Sequence, residues 1–407
     1  MENLRVKRRR IVFFFAILLL ASLLFIQLSY SLESTIVTLS SSGTIGTSGN
    51  SSIMPLHVSG RYIENSLGQI VTLKGFNKNG FEDYPQGSWQ DASGGYSYGI
   101  FNNATVNANL QAMKADGVNL VRISSDSMYA LNPTDLNYIA QLAQLAAPQG
   151  IYISYCLRQN NASGQPLVLY NDPGNGYINS PRDFVNMWGN ISLTLKSYPN
   201  VIFELQNEPE DYIHTLAPIF QSCINNIRST GATNLILIEF DAGIYYDFGP
   251  GGGNSGMSWV GAGVNFTNPN NFNGEQMNLN DSAGNLVYST HVYLNGNFYS
   301  SANGYATDYN TTDFNYACQQ LGLFAVSAKY PLIIGEIGEN LNDGNTAAQL
   351  TWYKYACNLF LSNGIGVVNW WWYPSGSGTG YDTLTGGPNF ALNSAGQATS
   401  TIFLSYP

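Results

Sequence analysis

Short apolar runs recur along the chain at Ile70–Phe76, Val118–Ile123, Ile151–Cys156, Val201–Gln206, Leu235–Phe240, Leu286–His291, Leu332–Ile337 and Gly366–Trp371. Each has the length of a strand. The nearly continuous apolar character of Val201, Ile202, Phe203 and Leu205 suits a parallel strand covered on both faces better than a half-solvated antiparallel one. Between the runs lie stretches of helical character: Val106–Asp116, Thr134–Ala147, Arg182–Ser197, Tyr212–Thr230, Phe314–Ala328 and Ala347–Asn363. Alternation of this kind predicts parallel strands joined by right-handed crossovers, and a count of eight favours closure over an open sheet. The expected fold class is α/β, a (β/α)8 TIM barrel.

Two short strand-like pieces, Leu56–Val58 and Arg61–Glu64, flank a turn at Ser59 and Gly60 and predict an N-terminal β-hairpin plugging the barrel bottom. The stretch Ala242–Val287 has little periodicity and much Gly, Asn and aromatic content, as expected of a long loop walling the active face. In such barrels the loops after the strands converge at one end, so polar residues at strand C-termini carry the candidate chemistry. Here these are Asn77, Arg122, Asn207, Glu208, Glu239, His291, Tyr293, Glu336 and the tryptophans from Trp370. Glu208 and Glu336 each follow an apolar run, so two carboxylates far apart in sequence are expected to face each other across one cleft. Such a pair suits acid/base or nucleophilic chemistry.

Composition adds location and excludes one class of partner. Arg5, Lys7, Arg8, Arg9 and Arg10 precede an apolar segment, Ile11–Leu28, in the order of an export signal, and that segment is long enough to stay in a bilayer as an anchor. The expected organisation is a signal peptide or N-terminal membrane anchor at 1–30, a Ser/Thr/Gly-rich linker at 31–54 and one catalytic domain at 55–407. Cleavage would give a secreted protein, retention a tether through residues 11–28 to the outer face of the membrane. The net charge of −10 argues against nucleic acid, which requires a basic patch. Only 10% of residues are charged, a sparseness that suits an acidic exterior. Asn-X-Ser/Thr sequons at Asn50, Asn103, Asn161, Asn190, Asn265, Asn280 and Asn310 make glycosylation an expectation for an exported chain. Cys156, Cys223, Cys318 and Cys357 are an even set, and Cys318 with Cys357 is the first candidate for a bridge. No metal-ligand spacing appears, and neither a metal nor another cofactor is expected.

The segments LKGFNKNGFE (Leu73–Glu82), NLVRIS (Asn119–Ser124), FELQNEP (Phe203–Pro209), STHVY (Ser289–Tyr293), IIGEIG (Ile333–Gly338) and NWWWYPSGSGTG (Asn369–Gly380) together resemble glycoside hydrolase family 5, the endoglucanase-type retaining glycosidases. The resemblance spans the whole barrel, and the six motifs come in family order. It implies Glu208 as the proton donor and acid/base and Glu336 as the nucleophile of a double displacement. It also implies Arg122 as the hydrogen-bond partner of the nucleophile, Asn207 as the contact to the sugar 2-hydroxyl and Tyr293 as a donor orienting Glu336. His291 is expected beside Glu208, and Trp370 as a flat platform for the sugar ring. Trp372 would point the same way as Trp370 by strand alternation, leaving Trp371 as core. Where family members often carry a histidine at the end of the third strand, this chain has Cys156, with Arg158 two residues on. That departure bears on the sugar contacts and leaves the two glutamates untouched.

Bland readings compete with several of these. Glu208 could merely cap a helix beginning after Pro209, Glu339 follows Glu336 closely enough to be the functional carboxylate instead, and Arg122 could pair with Asp126. Glu239 is expected to support the site without reacting, and His57 and His214 to be structural. Trp89, Tyr96, Tyr98, Phe272 and Tyr299 either line further sugar subsites or pack the long loops. The resemblance implies an endo-acting, monomeric enzyme that cleaves internal β-1,4 bonds of a cellulose-like glucan, with a β-mannanase or mixed-linkage glucanase as the alternative. A non-catalytic sugar-binding barrel is the reading from another class, and it would be expected to lack one of the two carboxylates.

Overall fold

The computed structural model describes residues 53–78, 89–90, 96–97, 102–126, 133–158, 181–207, 213–239, 271–272, 275–276, 279–293, 311, 314–315, 318, 323–339, 346–373, 380–385 and 390–406. The predicted signal and anchor and all but the last two residues of the linker therefore lie outside the described residues, as does most of the loop Ala242–Val287. All described residues fall within one compact unit, Ser51–Pro407. Among them no helix is long and apolar enough to cross a membrane.

The hairpin is present as β1 (Leu56–Ser59) paired antiparallel with β2 (Tyr62–Asn65). Eight further strands then close a barrel: β3 (Lys74–Asn77), β4 (Leu120–Asp126), β5 (Tyr152–Arg158), β6 (Val201–Glu204), β7 (Ile236–Glu239), β8 (Leu286–Tyr293), β9 (Leu332–Gly338) and β10 (Gly366–Asn369). Each pairs in parallel with the next in sequence, and β10 closes on β3. The eight predicted runs are these eight strands. The first starts later than its apolar pattern suggests, because Ile70 bridges back to Glu64 of the hairpin and Val71 donates to the Ile63 carbonyl at 2.8 Å.

Strand alternation sorts the barrel into two apolar layers. Leu73, Leu120, Tyr152, Ile202, Leu235, Leu237, Val287, Ile333 and Val368 form one buried cluster with Leu56 and Ile63 of the hairpin. These residues lie near the strand starts, so the hairpin seals that end, as expected. Phe76, Val121, Ile153, Phe203, Ile238 and Val367 instead join the larger cluster beneath the helices. Above the apolar plug the inward positions turn polar: Arg122, Ser154, Glu204 and Glu239 are all buried. Gly75 is obligatory where β3 meets β4, since a Cβ there would lie 1.6 Å from the Leu120 carbonyl oxygen.

The helices are α1 (Asn103–Ala115), α2 (Pro133–Ala146), α3 (Pro181–Leu195), α4 (Ile213–Ser229), α5 (Leu323–Ser327), α6 (Thr346–Ser362) and α7 (Ser394–Ser405). Asn102 caps α1 by accepting from the Ala104 and Thr105 amides at 2.9 and 3.2 Å. The last helix, α7, has no counterpart in the sequence reading. Its start is nevertheless written in Asn393, whose side chain accepts from the Gly396 amide at 3.0 Å as an N-cap does.

The predicted bridge between Cys318 and Cys357 is not made. All four cysteines are free thiols, each buried. Burial pushes the Cys223, Cys318 and Cys357 thiols upward, and such protonated thiols behave as small apolar filler.

Candidate active site

Arg122, pointing inward from β4, is the hub of the polar layer. Its Nε donates to both oxygens of Glu204 at 2.8 and 2.9 Å, and its Nη2 lies 2.7 Å from Glu204 Oε1. Nη1 donates to Asn77 Oδ1 at 2.9 Å and to Glu336 Oε1 at 2.6 Å. Nη2 also reaches Asn207 Oδ1 at 2.8 Å and Cys156 Sγ at 3.4 Å. Burial works against the guanidinium charge, but the surrounding groups, Glu204 foremost, outweigh it and hold Arg122 well above its ordinary range. A charge buried this deeply is tolerated only when paired and hydrogen-bonded, and here both conditions are met. The side chain of Asp126, the alternative partner, lies outside the described residues.

Glu336 owes its direction to a bulge. Ile333 belongs to the inner cluster, so simple alternation would turn Gly335 inward and Glu336 outward towards the helices. The register with β8 steps from Thr290 opposite Ile334 to His291 opposite Glu336, and the register with β10 slips at the same place. The extra residue re-aims the chain, as bulges beside reactive groups do, and Glu336 arrives at Arg122. Gly335 serves this crowding, since a Cβ there would lie 2.6 Å from Ser289 Oγ and 3.2 Å from His291 Nε2.

His291 stands between two carboxylates. Its Nε2 is 3.1 Å from Glu239 Oε1 and its Nδ1 is 3.5 Å from Glu336 Oε2. Burial pushes its pKa down to about 4 against the pull of Glu336, so at neutral pH the ring is uncharged and these contacts are not ion pairs. Glu239 is fully buried, consistent with support rather than reaction.

Among the sequence-predicted residues, the structure brings Arg122, Asn207, Glu239, His291 and Glu336 together. Glu208 lies outside the described residues, and so does any contact of His291 with it. Tyr293 ends β8, and its side chain likewise lies outside the description. Glu339, the rival of Glu336, is buried away from Arg122 and touches Asn369 instead.

One expectation about the tryptophans is corrected and another is met in part. Trp372 is core: it is 1% exposed, packs on Phe76 with ring centroids 5.1 Å apart, and donates from Nε1 to Asn109 of α1 at 2.9 Å. Trp371 is buried as expected, 7% exposed, but lies outside the cluster beneath the helices and stacks on Trp370, at 5.0 Å and 3°, and on Tyr373, at 4.2 Å and 9°. Alternation fails because β10 ends at Asn369. The Trp370–Trp371 peptide is cis. Trp370 is half-buried beside Gly338 of β9.

Glu204 carries weight that the sequence reading did not assign, and Asn77, named there only as a strand-end candidate, takes a definite part. Glu204 interrupts the apolar run Val201–Leu205 at an inward position, and a carboxylate inside a covered strand must have a cationic or donor partner. That was the available signal. Ser154 adds a donor to Glu204 Oε2 at 2.7 Å. Asn77 donates to the Gly335 carbonyl at 3.0 Å while accepting from Arg122, thereby tying β3 to the bulge. Cys156 sits in register between Ser124 and Glu204, with its thiol pushed well above its ordinary range by burial and by Glu204. It is a filler against Arg122, without the donor and acceptor of an imidazole.

Glu204, Glu239 and His291 bring possible metal-ligand atoms within 4.8 Å of one another. The Arg122 guanidinium already occupies the carboxylate face of Glu204 and comes within 3.7 Å of Glu239. A second cation there would meet its repulsion.

Comparison with known proteins agrees with this geometry. Residues 75–376 match the model of the cellulase family, glycosyl hydrolase family 5. "Endoglucanase 1" of Saitozyma flava is 29% identical over 135 residues, covering 30% of this chain and 38% of that protein. "Endo-beta-1,4-glucanase B" of Emericella nidulans is 32% identical over 119 residues, 29% of this chain and 30% of the other. The alignments thus span well under half of either relative. The barrel also superposes on a β-glucanase from Saccharophagus degradans solved in complex with cellotetraose, with 16% identity, a TM-score of 0.60, and coverage of 90% of this chain and 98% of that one. A hyperthermophilic endocellulase from the archaeon Pyrococcus horikoshii gives 16% identity and a TM-score of 0.60, over 86% and 99% of the two chains. With the family model matched across the barrel, the chain belongs to glycosyl hydrolase family 5, the cellulase family.

Proposed function

We propose that the protein is a retaining, endo-acting glycoside hydrolase that cleaves internal β-1,4 bonds of a cellulose-like glucan, with Glu336 as nucleophile and Glu208 as acid/base. The observation that carries the reading is the 2.6 Å bond from Arg122 to Glu336 at the mouth of the barrel. Arg122 is itself fixed by Glu204 and Asn77, so the carboxylate is aimed by groups that cannot shift independently. Pre-organisation of this kind is what a displacement at a sugar carbon needs.

In this scheme Glu336 attacks the anomeric carbon while Glu208 protonates the departing glycosidic oxygen. The glycosyl ester on Glu336 is then hydrolysed by a water that Glu208 deprotonates, which returns both carboxyl groups to their starting states. Loss of the Glu336 charge in the ester makes Glu208 more acidic when it must act as base. Asn207, whose Oδ1 accepts from Arg122, is left with its amide N–H groups to meet the sugar 2-hydroxyl. Trp370 supplies the flat apolar face.

The glucan assignment draws on the names of the relatives, an endoglucanase and an endo-β-1,4-glucanase, and on the cellotetraose complex of the Saccharophagus degradans enzyme. The N-terminal order of basic then apolar residues supports export, either into the medium or tethered outside the membrane. Rates on carboxymethyl cellulose, lichenan and β-mannan, measured with wild type, Glu208→Gln and Glu336→Gln, test the proposal. The expected result is glucan turnover that both variants lose by orders of magnitude. Preference for β-mannan would overturn the substrate, and undiminished turnover in Glu336→Gln would overturn the mechanism.

A further inference from the structure

Trp370, the flat face assigned above to the sugar, does not stand alone. Its ring stacks on Trp371 with centroids 5.0 Å apart and planes at 3°, and Trp371 stacks in turn on Tyr373 at 4.2 Å and 9°. Trp371 is common to both contacts, so its position fixes the plane on which Trp370 rests. A binding group keeps its geometry only as firmly as the residues behind it are locked by packing and hydrogen bonds. Stacking resists tilting of a ring, yet it leaves sliding and turning within the plane weakly opposed. Something must hold the edge of Trp371.

That hold comes from residues 381–384, which run beside 371–373. The Trp371 amide donates to the Tyr381 carbonyl at 3.2 Å, and Thr383 Oγ1 donates to the Trp371 carbonyl at 2.7 Å. The amides of Thr383 and Leu384 both donate to the Tyr373 carbonyl, at 3.1 and 2.9 Å. These bonds fix the backbone around the rings. The ring of Trp371 itself is gripped by one side chain, since its Nε1 donates to Asp382 Oδ1 at 3.2 Å. Asp382 is buried, and so is the indole it meets.

The brace is anchored in turn to the start of α7. Asn393, the N-cap, donates from Nδ2 to the Asp382 carbonyl, and its amide donates to the Thr383 carbonyl at 3.0 Å. Gly396 lets the helix approach this closely, because a Cβ there would lie 2.3 Å from the Thr383 carbonyl oxygen. Residues 381–384 therefore cannot withdraw from the rings without disturbing the helix end.

We propose that Asp382 is a positioning residue for the sugar platform: by gripping the Trp371 indole it fixes the ring behind Trp370, and so sets the affinity of the subsite that Trp370 forms. Asp382 acts through Trp371 and not on the sugar. This role rests on the reading of Trp370 as the face that meets substrate. A carboxyl group that merely satisfied a buried indole N–H would affect stability alone, whereas a positioning group also changes binding by the folded protein.

The test is calorimetric titration of cellotetraose into the full chain carrying Glu336→Gln, which binds without turnover, at a temperature where circular dichroism shows each variant folded. Asp382→Leu is expected to weaken binding about tenfold, equivalent to about 1.4 kcal/mol. Asp382→Asn, which keeps an acceptor oxygen for the indole, should retain the affinity of the parent. Trp371→Phe preserves a flat ring and removes the N–H, so it should weaken binding in the same direction and supplies a second route if the leucine variant folds poorly. With Trp370→Ala added, Asp382→Leu should cost nothing more. An unchanged Kd in whichever of Asp382→Leu and Trp371→Phe is folded overturns the proposal, and so does an equal loss with and without Trp370. A parent that does not bind cellotetraose at all would remove the glucan reading itself, an outcome distinct from a parent that binds and variants that match it.

Discussion

The Arg122 guanidinium presents its N–H donors in one rigid plane, and Glu204, Asn77, Glu336, Asn207 and Cys156 all meet that plane. A lysine has the charge without the fork. Arg122→Lys is therefore expected to fold and to lose roughly 100-fold or more in kcat, the scale of a misplacement of about 1 Å, when steady-state rates are compared. Arg122→Leu is a different experiment, because it abandons Glu204 as an unpaired buried charge. Urea unfolding should then show a loss of about 3–5 kcal/mol, a large part of the stability of an ordinary domain. Equal stability in the two variants would mean that the pairing with Glu204 is not what secures the arginine. The residues of this hub were partly legible in sequence: Arg122 and Glu336 stand at strand ends where polar groups are conspicuous. Glu204 was hidden by the apolar letters around it, though its inward position and its charge together required a partner.

At the scale of elements, the strands were readable because buried parallel strands carry dense apolar runs, and all eight runs became barrel strands. What the pattern could not carry was a change of register. The bulge at Gly335 and Glu336 inverts the face on which Glu336 appears, and the end of β10 at Asn369 releases the tryptophans from alternation. Both depend on neighbouring strands, which a linear pattern does not contain. The helix α7 was missed because its apolar spacing is diluted by Ser, Thr and Gly, while its Asn393 cap went unread. Asn393→Ala should cost about 1 kcal/mol through loss of that cap. Trp372→Ala, by contrast, should cost about 3–5 kcal/mol, since the ring is buried against Phe76 and bonded to α1. Thermal or urea midpoints separate the two, and a mild effect at Trp372 would restore it as a surface for sugar.

For the molecule as a whole, two buried groups set opposite limits on pH stability. His291 has a folded pKa of about 4, below its unfolded value of about 6.5. Its contribution is present above about pH 6.5 and is lost as pH falls through that window, on the order of 3 kcal/mol in all. Glu339 acts in reverse, because its folded pKa of about 8 lies above its unfolded value. Its contribution is complete below about pH 4.3 and is lost as pH rises to about 8. Between about pH 4.3 and 6.5 the two slopes oppose and largely cancel, so wild-type melting temperatures should be nearly level there and fall towards pH 8, while His291→Gln should expose the falling limb of Glu339 across the range and Glu339→Gln the rising limb of His291. A Glu339→Gln variant without a rising limb, or a His291→Gln variant without a falling one, would contradict the assignment concerned. The sparse charge suggested tolerance of an acidic exterior, and His291 sets a limit to it that composition alone does not reveal.

The central claim is that Glu336 forms a covalent bond to the sugar, and trapping that ester tests it most directly. A cellobioside with fluorine at C2 and a good leaving group at C1 slows both displacement steps by disfavouring oxocarbenium character, while the leaving group keeps the first step competent. After incubation and proteolysis, mass spectrometry is expected to find the fluorosugar on the peptide carrying Glu336, and no label in Glu336→Gln. A label on another carboxylate, such as Glu339, or turnover of cellulose-type substrates by a wild-type protein that never accumulates the ester, would contradict the account.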